Sequence, residues 1–438
     1  MICLVGDILT DVTLPSQTQK EFKMRLGGIV HAARGLWAMD VDYAVAYFAP
    51  AYLDGQIKHY LHEMGCTEMI KLGNVTGCPY TMLISEVKEI GRQGYEFLYR
   101  DCVHIDYNID EIKKLGGFND LMFISGNYDM DLLLKHIKDN QCIHTDVANN
   151  VKELNQLPKN RRFSTLFIST SSELFKNSFK NIKQFFALFD SYADKVVLKE
   201  NRGGSRAFNS TTGQHYQIPS QTSTIVHSVG VGDVYDAVSI TAPYSDFEER
   251  LSMASWVSMH YAKTTFVSDF KQAVEGVKKI SINTLKSFEG CILPWEVRQN
   301  CHIYIAAPDF DFVDTRCVDT VCDSLIYHNF VPHRPVKENG QMSENADKLE
   351  RARLFSADMT LLNKCNMLLA VLLNNDPGTL IEIGMAVQRG IPTIVYDPYG
   401  MADNCMLTES PTLVSCDLDE VISKVFTEYS KQYSNGTI

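Results

Sequence analysis

Short apolar runs recur along this chain, and amphipathic stretches separate many of them. Strand-like runs fall at residues 2–5, 42–48, 80–84, 121–124, 166–168 and 195–198. Helical spacing of apolar positions marks 31–39, 130–138 and 178–189. Strands interleaved with amphipathic helices predict a mostly parallel sheet covered on both faces. The stretch 286–300, with Gly290, Pro294 and Trp295, fits neither period and reads as a linker. A fresh series then begins: a strand at 303–306, helices at 314–327 and 347–363, and a strand at 367–373. A helical pattern ending at Arg389-Gly390 and a strand at 393–396 follow. The expected organisation is therefore α/β twice over, with domains at 1–285 and 301–438. The polar stretch Lys337-Glu338-Asn339-Gly340-Gln341 reads as a surface loop or a mobile lid.

Composition narrows the function classes. The chain has 438 residues, of which 45% are hydrophobic and 21% charged, as in ordinary globular domains. A formal charge of −12 argues against a general nucleic-acid binder, which needs clustered Lys and Arg. The one basic stretch, 152–162, reads as solvated surface. Twelve cysteines show no CxxC pair and no metal-like spacing, so they read as small buried hydrophobes in a reducing compartment. The start, Met1-Ile2-Cys3-Leu4-Val5-Gly6-Asp7, lacks the basic region of a signal peptide and reads as a strand. No apolar run approaches the ~20 residues that span a bilayer. A cytoplasmic protein acting on small molecules, with no membrane or nucleic-acid partner, is the expectation.

Two segments carry chemistry. In the first, Asn374-Asn375-Asp376-Pro377-Gly378-Thr379 lies between a buried strand and a helix, with Glu382 in what reads as the first helical turn. That is the edge where open α/β sheets bind ligands. A carboxylate there can attack an electrophilic sugar carbon and hold a covalent glycosyl intermediate. Alternatively, Thr379-x-x-Glu382 is a capping box, and Asp376-Pro377 a helix cap with proline at the first position. In the second segment, His227-Ser228-Val229-Gly230-Val231-Gly232-Asp233 opens another helical pattern. Glycines there point successive N–H groups outward and attract anions. An aspartate at that helix start can take a proton from a hydroxyl during phosphoryl transfer. Taken singly, either string could be a plain turn.

The first ~280 residues resemble the ribokinase-type (PfkB) carbohydrate kinase family. Gly6-Asp7 with Asp11 looks like its opening strand and sugar-binding aspartate, and Gly27-Gly28 like its paired glycines near the sugar. Asp146-Val147-Ala148 is similar to its Asp-Pro-Asn, and Thr170-Ser171-Ser172-Glu173 to the segment whose glutamate organises magnesium and phosphate. Lys199 through Gly203-Gly204 resembles the nucleotide-side strand and turn. The resemblance implies Asp233 as catalytic base and Gly230 to Gly232 as anion hole, with ATP and magnesium as cofactors. The chain departs from the pattern at His227 (usually aspartate), Thr170 (usually asparagine), Asn201 (usually glycine) and His31 or Ala32 (usually asparagine).

The segment from about Ile303 onward resembles the nucleoside 2-deoxyribosyltransferase family. The carriers are Tyr304 in Ile303-Tyr304-Ile305-Ala306-Ala307-Pro308, then Asp358, then Asp376-Pro377-Gly378-Thr379 with Glu382-Ile383-Gly384. By that resemblance Glu382 is the nucleophile and Tyr304 orients it. Asp358 and Asp376 contact base and sugar, one of them donating a proton to the leaving base. Asn404, in Asn404-Cys405-Met406, is similar to a residue lent to a neighbouring subunit's site, so a homo-oligomer is implied. The implied fold is a ribokinase-like three-layer domain followed by a flavodoxin-like doubly wound parallel-sheet domain. The implied function is a bifunctional nucleoside-metabolising enzyme, or a single glycosyl-transfer activity beside a non-catalytic kinase-like module.

Overall fold

A computed structural model describes residues 1–16, 22–98, 102–124, 126–147, 151–159 and 161–436. Ala148 of the 146–148 motif and Asn160 of the basic stretch lie outside the described residues. The chain divides into two compact units. The first comprises residues 1–88 and 93–292, the second residues 89–92 and 293–438.

The first unit contains β1 (Ile2–Asp7), β2 (Thr10–Thr13), β3 (Lys23–Leu26), β4 (Tyr43–Ala49), β5 (Glu68–Thr76), β6 (Thr81–Ile84) and β7 (Tyr95–Phe97). It continues with β8 (His104–Tyr107), β9 (Asp120–Ile124), β10 (Cys142–Asp146), β11 (Thr165–Ser169), β12 (Lys195–Lys199), β13 (Ser205–Asn209) and β14 (Gln214–Ile218). Ten of these form one sheet in the order β14-β13-β12-β11-β10-β9-β1-β4-β5-β8. Its centre, from β12 to β5, is parallel, and antiparallel strands close both edges. Every residue of β1 and β4 is buried, as expected when helices cover both faces of a sheet. On one face Leu4, Val45, Phe167 and Val197 pack against the helices Val30–Ala38, Val231–Thr241 and Phe247–Lys263. Alternate residues point the other way, where Phe48 stacks on Tyr128 with ring centroids 5.1 Å apart. The layers are helix, sheet, helix. A separate four-stranded sheet, β3-β2-β6-β7, carries Asp11 on β2.

The second unit contains β15 (His302–Ala306), β16 (Val331–His333), β17 (Met367–Val371), β18 (Thr393–Tyr396) and β19 (Leu413–Ser415). All pairings are parallel, in the order β16-β15-β17-β18-β19. Numbered from β15, this is 2-1-3-4-5, the flavodoxin-like order, whose topological switch lies between β15 and β17. Tyr304, Ala306, Leu368 and Ala370 form the core of one face with Ile383 and Ala386 of the helix Pro377–Gln388.

Some expectations need correction. The helix expected over 130–138 is only Met130–Leu134. The one expected over 178–189 is Ile182–Ala187, because the Asn181 side chain accepts from the Gln184 N–H and caps a new start. The proposed lid is partly the helix Pro335–Asn339, and Asn339 is tied to Asp358. Burial explains only some cysteines: Cys3, Cys66, Cys291, Cys301, Cys322 and Cys365 are buried, but Cys102, Cys142, Cys405 and Cys416 are exposed. The basic stretch is tied down by ion pairs from Arg161 to Asp139 and from Arg162 to Asp194. Among the described residues no helix is long and apolar enough to cross a membrane.

Candidate active sites

In the second unit the turn after β17 positions the chemistry. Asn374 and Asn375 both take left-handed backbone (φ 58° and 49°), a conformation asparagine tolerates better than most residues. Asp376 then caps the helix Pro377–Gln388. Its Oδ2 accepts from the Thr379 N–H at 2.8 Å and from the Thr379 hydroxyl at 3.0 Å. The cap is therefore Asp376, not Thr379, and Glu382 lies in the second helical turn rather than the first. Its side chain is not spent on capping.

Glu382 meets Tyr304, which rises from the middle of β15 and is fully buried. The Tyr304 hydroxyl donates to Glu382 Oε1 at 2.6 Å. Burial pushes the Glu382 carboxyl up to about 7. The Tyr304 hydrogen bond opposes that rise, while Asp358 and Asp376 add to it. Both aspartates are thus close enough to act on Glu382 electrostatically. Asp358 sits on the helix Lys348–Leu362, where its Oδ1 accepts from Asn339 Nδ2 at 2.8 Å. Burial raises its carboxyl above the usual range. Asn404 is exposed and caps the helix Cys405–Glu409 through the Met406 N–H at 2.9 Å. No contact joins it to Glu382 within this chain among the described residues. The sequence reading missed Asn339. It also missed the buried Asp309, just past β15, which accepts two hydrogen bonds from the Arg334 guanidinium at 2.6 and 2.7 Å.

In the first unit the helix Val231–Thr241 starts at Gly230 in left-handed conformation (φ 75°). A Cβ at Gly230 would lie 2.1 Å from His31 Cγ, so the imidazole rests directly on that backbone. Gly232 and Asp233 form the first turn, whose N–H groups lack intrahelical partners. Asp233 is half-buried by exposure, yet surrounding protein pushes its carboxyl up to about 7. Desolvation comes first, Asp146 adds to it, and Lys199 opposes it. Lys199, at the end of β12, donates to Asp236 Oδ2 at 2.5 Å and Asp146 Oδ2 at 3.2 Å. Two acids pair with one ammonium, and Asp233 acts on it electrostatically. Burial consequently holds Asp236 well above the usual carboxylate range, while its carboxylate neighbours keep Lys199 charged.

Asp11 is buried on β2, and a Cβ at Gly27 would sit 2.2 Å from its carboxyl carbon, so only glycine admits it there. Its Oδ2 pairs with His31 Nε2 at 2.9 Å. Arg34 Nη1 approaches His31 Nδ1 at 3.1 Å, and a guanidinium can only donate. His31 Nδ1 is therefore an acceptor, and Nε2–H donates to Asp11. Gly28 (φ 64°) lies at the entry to the helix Val30–Ala38, and Gly204 (φ 94°) between β12 and β13. Glu173 has a different partner. More than half exposed, its carboxylate pairs with Lys152 at 3.1 Å. The sequence reading missed Asp236 and Arg34, because a charged residue inside a helical pattern reads as solvent-facing.

No curated protein matches the chain. In structure it is similar to Arabidopsis thaliana ribokinase complexed with ribose and ATP, at 14% identity and TM-score 0.47, covering 64% of this chain and 99% of that one. It is similar also to the Methanocaldococcus jannaschii nucleoside kinase, an archaeal member of the ribokinase family, at 15% identity and TM-score 0.43, covering 64% and 98%. Ribokinase from Giardia lamblia gives 11% identity and TM-score 0.46, covering 66% and 99%. Residues 303–412 match the family model of nucleoside 2-deoxyribosyltransferase.

Proposed function

We propose that the second unit cleaves or exchanges the N-glycosidic bond of a nucleoside or its phosphate, with Glu382 as nucleophile. The observation that carries this is the Tyr304–Glu382 hydrogen bond of 2.6 Å beside the topological switch of the parallel sheet. The Glu382 carboxylate attacks C1′, forming an ester as the bond from C1′ to the base breaks. The departing base takes a proton. Asp358, whose carboxyl is raised by burial, suits that donation, whereas Asp376 accepts two hydrogen bonds as a carboxylate should. Water or a second base then attacks C1′, returns its proton to Asp358 and frees Glu382. Asn404 is exposed, with Met406 beside it at 73% exposure, and in this reading serves the site of a second copy.

For the first unit we propose phosphoryl transfer from ATP to a hydroxyl of a sugar or nucleoside, with Asp233 accepting the hydroxyl proton. ATP with magnesium would supply the phosphoryl group. The first-turn N–H groups of Gly232 and Asp233 and the Lys199 ammonium fit phosphate oxygens by charge. A second reading has its own support. His31 covers Gly230 and occupies Asp11, and Asp236 engages Lys199, as in a binding module without turnover.

Chromatography of products from nucleosides and nucleoside 5′-phosphates, with and without ATP, tests both halves. Free base that disappears in Glu382→Gln supports the first proposal, and absence of base from every substrate refutes it. ADP formed by the wild type but not by Asp233→Ala supports phosphoryl transfer, whereas ADP at background for all acceptors leaves the binding-module reading.

A further inference from the structure

A cavity of about 470 Å³ lies in the first unit, among β3, the helices Val30–Ala38 and Asp54–Glu63, and the turn that follows the helix Phe247–Lys263. Its lining carries charge of one sign. Arg25 and Arg34 face it, and among the described residues no aspartate or glutamate does. Tyr60, Tyr261, Phe266 and Phe270 supply aromatic surface.

Arg34 is 3% exposed. Its guanidinium donates to the Tyr60 hydroxyl at 2.7 Å, the Leu26 carbonyl at 2.9 Å, the Tyr261 hydroxyl at 3.1 Å and His31 Nδ1 at 3.1 Å. None of these partners is an anion. Arg25, half-buried, donates to the Val229 carbonyl at 3.2 Å. Asp11 faces Arg25 in the β2–β3 register but gives its Oδ2 to His31. Among the described residues neither arginine has an ion pair. The two imidazoles report the same imbalance: burial and then Arg25 hold His227 down to about 3, and His31 is held down to about 4 by burial and, more weakly, by Arg25 and Arg34. A buried guanidinium whose partners are all neutral lacks a counter-charge, which an anion would supply.

We propose that this cavity binds an oxyanion carried on a flat aromatic body, of the nucleoside monophosphate class, with Arg25 gripping the oxyanion and the uncompensated charge of the buried Arg34 drawing it in. Guanidinium forks match phosphate oxygens in geometry, and aromatic rings accept a base by stacking. The volume falls within the usual range for small-ligand pockets, about 300–1,000 Å³. The site is distinct from the Lys199–Asp233 cluster; His31 links Arg34 to Asp11 and rests on Gly230, and Arg25 donates to the neighbouring Val229 carbonyl.

The test is calorimetric titration of the full chain in about 150 mM salt with adenosine 5′-monophosphate, adenosine and inorganic phosphate. The monophosphate is expected to bind saturably, with adenosine and phosphate each at least about tenfold weaker. Arg25→Gln removes one guanidinium. Thr265→Glu places a carboxylate at the exposed rim of the cavity, where the fold is not at risk. Each is expected to weaken monophosphate binding by about tenfold or more at unchanged melting temperature. Three results would overturn the proposal: no saturable binding up to about 5 mM, equal affinity for adenosine and its monophosphate, or undiminished binding in Thr265→Glu.

Discussion

Glu382 and Asp233 occupy comparable positions in different electrostatic company. Each lies near the start of a helix, and each has its carboxyl pushed up to about 7. Around Glu382 the charged neighbours are acids, Asp358 and Asp376, and among the described residues the only donor is the Tyr304 phenol. Around Asp233 the acids Asp146 and Asp236 are met by the Lys199 ammonium. The contrast fits the charge that each proposed reaction develops. Breaking an N-glycosidic bond puts positive charge on C1′, which a cluster of carboxyl groups stabilises. A phosphoryl group arrives negative and needs a cation.

The largest expected effect tests whether the two sites work separately. Glu382→Gln should lower base release by about four orders of magnitude or more, since the nucleophile is lost, and should leave ADP formation unchanged. Asp233→Asn should do the reverse, lowering ADP formation about 10²–10⁴-fold with base release intact. Parallel assays of base and ADP on the same samples check both. Loss of both activities in either variant would break the comparison, because the sites would then share a step.

Next in size is the role of Lys199. Its side chain is 14% exposed, and its partners Asp146 and Asp236 are 7% and 0% exposed. Lys199→Met leaves buried acids with no cation and should destabilise the first unit by roughly 3–5 kcal/mol in denaturant unfolding. Adding Asp236→Leu to that variant should recover most of the loss. If Lys199→Met alone is neutral, the ammonium is not what distinguishes the first site.

Much of this contrast was hidden in the sequence, and particular residues show why. The central strands were legible because β1, β4 and β17 are buried throughout and so read as continuous apolar runs. Of the small sheet only β6, in the apolar run 80–84, was legible. β3 (Lys23–Leu26) and β7 (Tyr95–Phe97) are short, half exposed and without a clear apolar run. Glu382 was placed one turn early: the Asp376-Pro377 cap was legible in the sequence, and counted from it Glu382 falls in the second turn, while Thr379-x-x-Glu382 only imitates a capping box. Tyr304 and Glu382 are 78 positions apart, and only resemblance to a family, not spacing, paired them. Asp236 and Arg34 are buried charges on helices, and a periodic pattern assigns such positions to solvent. Their partners, Lys199 and Tyr261, come from distant parts of the chain.

Tyr304 sharpens the account of Glu382. Its hydrogen bond favours the ionised carboxylate and so works against burial. In the wild type, kcat/KM for base release should rise with pH as Glu382 ionises, along an acid limb near 7. Tyr304→Phe removes the opposing bond, so the limb should move to higher pH and the plateau should fall about 10–100-fold. A pH–rate profile of both proteins reads this directly. A limb that moves down, or stays fixed, would mean that the phenol does not tune the carboxylate.

The smallest effect is on stability, and its sign follows from the same shift. The Glu382 carboxyl titrates near 7 when folded and near 4.5 ordinarily, so the folded state holds its proton more tightly. The stability this contributes is fully present below about pH 4.5 and is lost as pH rises through about 7, where folding must bury an ionised group. Glutamine carries no titrating proton and escapes that loss. Glu382→Gln should therefore match the wild type at pH 4 and exceed it at pH 8 by roughly 1–3 kcal/mol, less where water reaches the half-buried side chain. Unfolding of the second unit, followed at several pH values, measures the difference. Asp233→Asn should show the same trend in the first unit, between about 3.8 and 7. If Lys199→Met makes that trend steeper while nothing comparable can be removed near Glu382, the counter-cation accounts for the contrast between the two sites.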